Sequence, residues 1–92
     1  MNVTVKTFAD IREILGPELA VSVPERAVVR ELLQILGARS PELLKKILDD
    51  RGELKPYVSI LKGGRNIRFI RGLETELTEG EVIAIFPPVA GG

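Results

Sequence analysis

The sequence predicts a small α+β domain in which helices cover one face of a sheet. Three observations support this: two strand-like stretches lie near the start of the chain, one strongly amphipathic helix follows them, and the last predicted strand is almost entirely apolar. A chain of 92 residues forms one domain with a thin core. Its 45% apolar and 28% charged residues are ordinary for a globular protein, so we expect no disordered or low-complexity region.

The amino-terminal segment predicts a strand, a short helix and a second strand. Val3 and Val5 alternate with polar residues, which is the period of a half-buried strand. Asp10 predicts an N-cap, and the helix that it opens is expected to end at residues 16–17, a glycine followed by a proline. Residues 19–23 then supply a second strand that can pair with the first.

The middle of the chain predicts two helices. The first and main helix carries an apolar stripe at helical spacing, formed by Val29, Leu32, Leu33 and Leu36. Gly37 is expected to end this helix. Ser40 predicts the N-cap of the second helix, and Pro41 occupies its first position, where no backbone N–H is needed.

Three further strands are predicted in the last third of the chain. Residues 57–62 and 65–70 form two of them, joined by a hairpin turn at residues 63–64, both glycine. Residues 81–86 form the last strand, which is expected to lie centrally, beside the first, because it is so apolar. On this strand, Ile83 and Ile85 are expected to face the core. The outward positions are Val82, Ala84 and Phe86.

The absence of Cys and His narrows the possible chemistry. Without Cys there is neither a disulfide nor a thiolate metal site, and without His no Ser-His-Asp arrangement can form. The carboxylates show no metal-ligand spacing, and no nucleotide-binding loop is present. We therefore expect no bound cofactor and no catalysis by the chain alone, so that any ATP would be consumed by an activating partner.

The charge balance argues against nucleic acid or membrane partners. Thirteen Lys and Arg residues balance thirteen Asp and Glu residues, so no net field attracts a polyanion. One basic run, at Lys62, Arg65, Arg68 and Arg71, has only Phe69 interleaved, and we interpret it as a solvated strand face rather than as a nucleic-acid surface. With no secretory signal and no apolar stretch long enough to span a membrane, a cytoplasmic domain is expected.

Residues 87–92 form a tail that fits no regular element. Pro87 and Pro88 cannot continue a strand ladder and favour an extended exit from the sheet. Gly91 and Gly92 carry no side chains, so a carboxylate at this end can enter a narrow tunnel. When the tail is extended, it reaches roughly 20 Å beyond the domain. We divide the chain into a domain of residues 1–86 and this tail. The alternative interpretation is a frayed terminus.

Residues 81–92 resemble the carboxy terminus of the small subunit of molybdopterin synthase (MoaD) and of the related small archaeal modifier proteins. Residues 5–13 are similar to the first strand and helix of this family, and residues 28–33 to its main helix. The resemblance implies the ubiquitin-like β-grasp fold, a mixed sheet packed on one main helix. Two departures are Ala27, where the family often has a Thr cap, and residues 38–56, which form a longer segment than in the shortest bacterial members.

The resemblance also implies a function. In this family an adenylating enzyme of the ubiquitin-activating type activates the terminal glycine; Gly92 would then carry the reacting carbonyl, and Gly91 would let the backbone approach the enzymes. A thiocarboxylate at Gly92 would give its sulfur to a pterin precursor in the large subunit of molybdopterin synthase. Alternatively, Gly92 would be joined to lysines of target proteins. A third hypothesis is a plain interaction domain with an inert tail.

An apolar surface near the tail is the expected partner-binding site. Phe8 and Phe86 both have the outward phase of their strands, so the two rings meet if the strands are neighbours. The alternative is that Phe8 folds over the sheet edge into the core. The residues that we assign to partner binding are Phe8, Phe86, Pro87, Pro88, Val89, Ala90 and Ile67.

Overall fold

Five strands and three α-helices make up residues 1–88, the part of the chain that this computed structural model describes. The strands are β1 (Asn2–Thr7), β2 (Glu18–Ser22), β3 (Ser59–Lys62), β4 (Arg65–Asn66) and β5 (Val82–Phe86). The helices are α1 (Ala9–Leu15), α2 (Val29–Arg39) and α3 (Pro41–Ile47), and two 3₁₀ turns cover Ile67–Phe69 and Gly72–Glu74.

The strands form one mixed sheet in the order β2-β1-β5-β3-β4. β1 and β5 are parallel at its centre, with Val5 opposite Ile83 and Thr7 opposite Ile85. The other neighbouring pairs are antiparallel. A parallel pair cannot be joined by a hairpin, so the chain between β1 and β5 crosses the sheet and carries the main helix. The prediction that the last strand lies centrally, beside the first, is confirmed.

The core lies between the sheet and α2, as the apolar periodicity predicts. Leu32 and Leu36 of α2 are fully buried, and so are Ile83 and Ile85 of β5. The residues in between on β5 have the opposite phase, and Val82 is 39% exposed. The structure is therefore the predicted α+β domain, a mixed sheet with its helices on one face and its other face open.

The first helix begins differently from the prediction. Phe8, not Asp10, is its N-cap residue, and α1 starts at Ala9, whose φ is +54°. The Asp10 carboxylate lies in the first turn and accepts a hydrogen bond of 2.5 Å from the Lys46 ammonium of α3. The expected cap is wrong because α1 begins at Ala9 and leaves Asp10 inside its first turn, where the carboxylate pairs with Lys46.

Gly37 does not end the main helix, which continues to Arg39. A Cβ atom at Gly37 would lie 2.5 Å from Cγ of Leu44, on the neighbouring α3. The missing side chain therefore allows the two helices to pack closely. Tertiary contact between consecutive helices, rather than helix termination, explains this glycine.

The predicted fourth strand is shortened to two residues, Arg65–Asn66. The Asn66 side chain accepts a hydrogen bond of 2.9 Å from the Arg68 N–H and turns the chain into a 3₁₀ turn. The Arg68 guanidinium then donates to the carbonyls of Lys55 at 2.6 Å and Val58 at 3.2 Å. The basic run is therefore not a regular strand face, because Arg68 holds this turn against the chain that leads into β3.

We predict that Gly37→Ala destabilises the protein by about 1 kcal/mol. Overpacking against Leu44 costs about 1–3 kcal/mol, and the better helix propensity of Ala returns about 1 kcal/mol. Chemical denaturation measures the change. In a Leu44→Ala background the clash is absent, so the same substitution should stabilise the protein. A stabilising effect in the wild-type background would contradict the close packing of α2 and α3.

Candidate partner-binding site at the root of the tail

Phe8 and Phe86 meet on the open face of the sheet. Their ring centroids are 4.2 Å apart and their planes differ by 10°, so the rings are stacked. Phe8 is 37% exposed and Phe86 is half-buried. The prediction that the rings meet is confirmed, and the alternative that Phe8 folds into the core is wrong.

The backbone around Phe8 explains why its ring stays on this face. Phe8 has an extended conformation, with φ −140° and ψ 159°, so it continues the phase of β1. The preceding Thr7 is buried; its hydroxyl donates to the Gly16 carbonyl, and its N–H donates to the Pro17 carbonyl at 3.1 Å. These two bonds tie the end of β1 to the end of α1 and orient Phe8 outward.

Three further residues of the open face extend the aromatic pair. Val82 and Ala84 precede Phe86 on β5 with the same phase, and Leu61 of β3 lies opposite Ala84 in the ladder. We refer to Phe8, Leu61, Val82, Ala84 and Phe86 as the tail-root patch. Leu61 is not among the residues assigned to partner binding from the sequence, although its alternation with the buried Ile60 indicates the open face.

Ile67 does not belong to the partner-binding surface. Its side chain is fully buried in the core, because the chain leaves the β4 ladder after Asn66 and enters the 3₁₀ turn. A residue with no accessible surface cannot contact a partner, so this assignment is wrong. Pro87 is also buried, whereas Pro88 is exposed. The other predicted partner-binding and reacting residues, Val89, Ala90, Gly91 and Gly92, lie outside the described residues.

A groove of about 400 Å³ borders the start of the tail. Pro87 and Pro88 line one part of it, and Lys45, Lys46 and Asp10 line another. The Lys46 ammonium lowers the pKa of the Asp10 carboxyl by donating a hydrogen bond, and the same bond raises the pKa of Lys46. Both groups are therefore ionised around neutral pH, and the pair fixes α3 against α1 beside the tail.

Residues 1–88 contain neither a cluster of metal-binding side chains nor a helix that could span a membrane. Within this range, no three Asp, Glu, His or Cys side chains gather closely enough to hold a metal ion. No helix in the same range has the length and the apolar composition needed to cross a membrane.

We predict that Phe86→Ala lowers the free energy of unfolding less than Leu32→Ala does. A fully buried leucine costs about 2–5 kcal/mol when truncated, whereas Phe86 is half-buried on the open face. A double-mutant cycle with Phe8→Ala should give a coupling of about 0.5–1.5 kcal/mol for the stacked pair. Denaturant titrations of the wild type, the three variants of the cycle and Leu32→Ala measure both quantities. Equal losses for Phe86→Ala and Leu32→Ala would contradict an open-face position.

Two relatives match the chain over its whole length. Small archaeal modifier protein 3 of Haloferax volcanii is 37% identical over 93 residues, with 100% of both chains covered. The sulfur carrier protein CysO of Mycobacterium tuberculosis is 30% identical over 94 residues, also with 100% of both chains covered. One relative is thus named as a modifier and the other as a sulfur carrier.

Solved structures share the fold. The small archaeal modifier protein 1 of Methanosarcina acetivorans has a TM-score of 0.81 at 40% identity, over 99% of this chain and 96% of that one. Subunits 1 and 2 of the molybdopterin-converting factor of Helicobacter pylori form a complex, in which the similar chain has a TM-score of 0.62 at 28% identity, with 100% of both chains covered. These similarities confirm the ubiquitin-like β-grasp fold. Residues 5–92 match the sequence profile of the ThiS family, and the chain belongs to that family.

Proposed function

We propose that this protein is a ubiquitin-like sulfur carrier whose Gly92 carboxylate is activated by a partner enzyme and then converted to a thiocarboxylate. The sulfur would be delivered in molybdopterin biosynthesis, to a pterin precursor held by the large subunit of molybdopterin synthase. The observation that carries the proposal is the stacked Phe8–Phe86 pair on β1 and β5, directly before a tail that ends in Gly91 and Gly92.

The chemistry of the proposed reaction explains why the chain needs no catalytic side chain. The Gly92 carboxylate attacks the α-phosphorus of ATP, pyrophosphate leaves, and an acyl-adenylate forms. A hydrosulfide ion then attacks the carbonyl carbon and loses its proton, AMP leaves with the bonding electrons, and the thiocarboxylate remains. The activating enzyme would bind ATP and polarise these groups. The carrier would contribute only the narrow glycine end and a docking surface.

A second candidate function is protein modification. A lysine amine of a target protein would attack the same acyl group in place of sulfur and form an isopeptide bond at Gly92. This candidate is supported by the similarity to small archaeal modifier protein 3 over the whole chain. The two functions share the activation step and differ only in the final nucleophile.

The tail-root patch is proposed as the docking surface for the activating enzyme and, in either candidate function, for the acceptor protein. It lies on the open sheet face, includes Phe8 and the exposed Val82, and adjoins Pro88 at the start of the tail. Exposed contiguous apolar surface of this kind marks interaction sites. The H. pylori structure, in which subunit 1 of a molybdopterin-converting factor is bound to subunit 2, supports a protein partner.

We predict that deleting Gly92, or adding one residue after it, abolishes activation without unfolding the domain. The reacting carboxylate is removed or displaced, whereas terminal residues contribute almost nothing to stability. Pyrophosphate release with ATP and the adenylating enzyme measures activation, and thermal unfolding is the control for folding. Adding a sulfur donor to the wild-type reaction should replace one terminal oxygen by sulfur, which intact-mass analysis detects.

Two results would contradict the proposal. Pyrophosphate release that persists without Gly91 and Gly92 would show that the tail is not the substrate. A wild-type protein that is never activated by any adenylating enzyme of its host would favour the plain interaction domain. If Gly-Gly remnants on target lysines are found in place of a thiocarboxylate, the second candidate function replaces the first.

We predict that Phe8→Ala and Phe86→Ala each weaken binding to the adenylating enzyme by about 1–3 kcal/mol, as aromatic anchors of an interface do. Isothermal titration calorimetry measures the loss. Ile35→Ala is the matched control, because Ile35 is partly buried on α2 and packs against the core. Unchanged affinity in both phenylalanine variants would show that the tail-root patch is not part of the interface.

A further inference from the structure

The charges of this neutral protein are strongly segregated. Residues 54–73 contain five Lys and Arg residues and no Asp or Glu, so this segment carries +5. The whole chain has 13 basic and 13 acidic residues, which leaves 8 and 13 for the remainder and a charge of −5. A run of this length without an acidic residue is the feature that the proposed function leaves unexplained.

The structure gathers much of this charge around exposed aromatic side chains. Tyr57 is 83% exposed and Phe69 is 75% exposed. Arg65 Nη2 donates to the Phe69 carbonyl at 3.2 Å, which joins Arg65 to one aromatic residue. Arg68 Nη2 donates to the carbonyl of Val58 at 3.2 Å, and Val58 directly follows Tyr57 in the chain. We refer to Tyr57, Arg65, Arg68, Phe69 and the exposed Arg71 as the basic edge.

No ion pair within residues 1–88 neutralises the arginines of the basic edge, although Glu53 and Glu74 line the same groove as Arg68 and Arg71. Two nearby cations do have carboxylate partners in this range, because Lys62 pairs with Glu81 at 3.5 Å and Arg30 with Glu74 at 2.8 Å. The ion pairs formed within residues 1–88 involve neither Arg65, Arg68 nor Arg71. Backbone carbonyls already orient Arg65 and Arg68, so less side-chain entropy is lost when a partner binds them.

We propose that the basic edge is a second docking surface, which binds an acidic, partly apolar segment of a partner protein. Arg, Tyr and Phe are the residue types enriched in protein interfaces, and acidic side chains complement the charge. The adjoining Ile70, 38% exposed, also suits a protein segment. Nucleic acid fits less well, because the whole chain has no net positive charge and Arg68 already donates to carbonyls.

Apart from Leu61, which pairs with Asn66 of β4, the tail-root patch is separate from this surface. β4 lies at the edge of the sheet, whereas β5, which leads into the tail, is flanked by β1 and β3. A partner segment on the basic edge therefore need not cover the start of the tail at Pro87. The inference does not depend on activation of Gly92.

Binding of three synthetic probes to the full chain tests the proposal. The probes are a peptide of alternating Glu and Leu, octaglutamate and oligothymidylate, each titrated into ¹⁵N-labelled protein. We expect the Glu-Leu peptide to bind most tightly, with amide shifts concentrated at Tyr57, Arg65, Phe69 and Arg71. Tighter binding of oligothymidylate, or shifts spread evenly over the basic residues of the chain, would overturn the proposal.

Two charge-reversal variants give the matched comparison. Arg65→Glu with Arg71→Glu should weaken binding of the Glu-Leu peptide by about tenfold or more, since like charges then face each other. The control variant, Arg26→Glu with Arg39→Glu, changes the net charge by the same amount at exposed positions outside residues 54–73. It should weaken binding of the Glu-Leu peptide less. Equal losses in the two variants would overturn the proposal. Thermal unfolding checks that both variants fold.

Phe69→Ala tests the apolar part of the surface separately. Its side chain is so exposed that truncation should leave the thermal midpoint unchanged. Binding of the Glu-Leu peptide should weaken several-fold, whereas binding of octaglutamate should change little. If both peptides bind Phe69→Ala as tightly as the wild type, the surface is a charge cluster alone, and the proposal of an apolar, acidic partner segment is overturned.

Discussion

The parallel ladder between β1 and β5 is the interaction on which the rest of this structure depends. It brings the first and last strands together at the centre of the sheet, with Val5 opposite Ile83. Because the strands are in parallel register, their ends coincide, and Phe8 stacks on Phe86. The same ladder makes the chain leave the fold from a central strand, so its tail begins beside an apolar surface rather than at a free sheet edge. Core, aromatic pair and tail position thus follow from one pairing.

The segment between the main helix and β3 shapes the surroundings of that tail. Gly37 allows α3 to pack against α2, and Lys46 of α3 reaches Asp10 of α1. This ion pair is partly exposed, so its contribution to stability is small. The buried Leu43 and Ile47 hold α3 in place, and α3 lines the groove beside Pro87 and Pro88. The segment of residues 38–56 is therefore part of the surroundings of the tail.

The sheet carries two surfaces that differ in chemistry. The tail-root patch is apolar and central, and its aromatic pair is held by β1 and β5. The basic edge combines arginines with exposed aromatic rings on and around β4, at the sheet margin. A carrier of the proposed kind depends on its partners for activation and transfer, so its surface must encode their recognition. Separate surfaces would allow one partner to hold the domain while another reaches the tail.

The sequence by itself determined the elements whose apolar spacing is regular: the stripe of α2, the alternation of β1 and β5, and from their phases the fold class and the meeting of Phe8 with Phe86. Only the tertiary structure decided where elements end and which polar groups pair. Gly37 lies inside a helix and lets α3 pack closely, Asp10 pairs with α3 instead of capping α1, and Ile67 is buried because the chain leaves the β4 ladder after Asn66. Apolar periodicity is a local property that a single segment records, whereas these outcomes depend on groups that only the folded chain brings into contact.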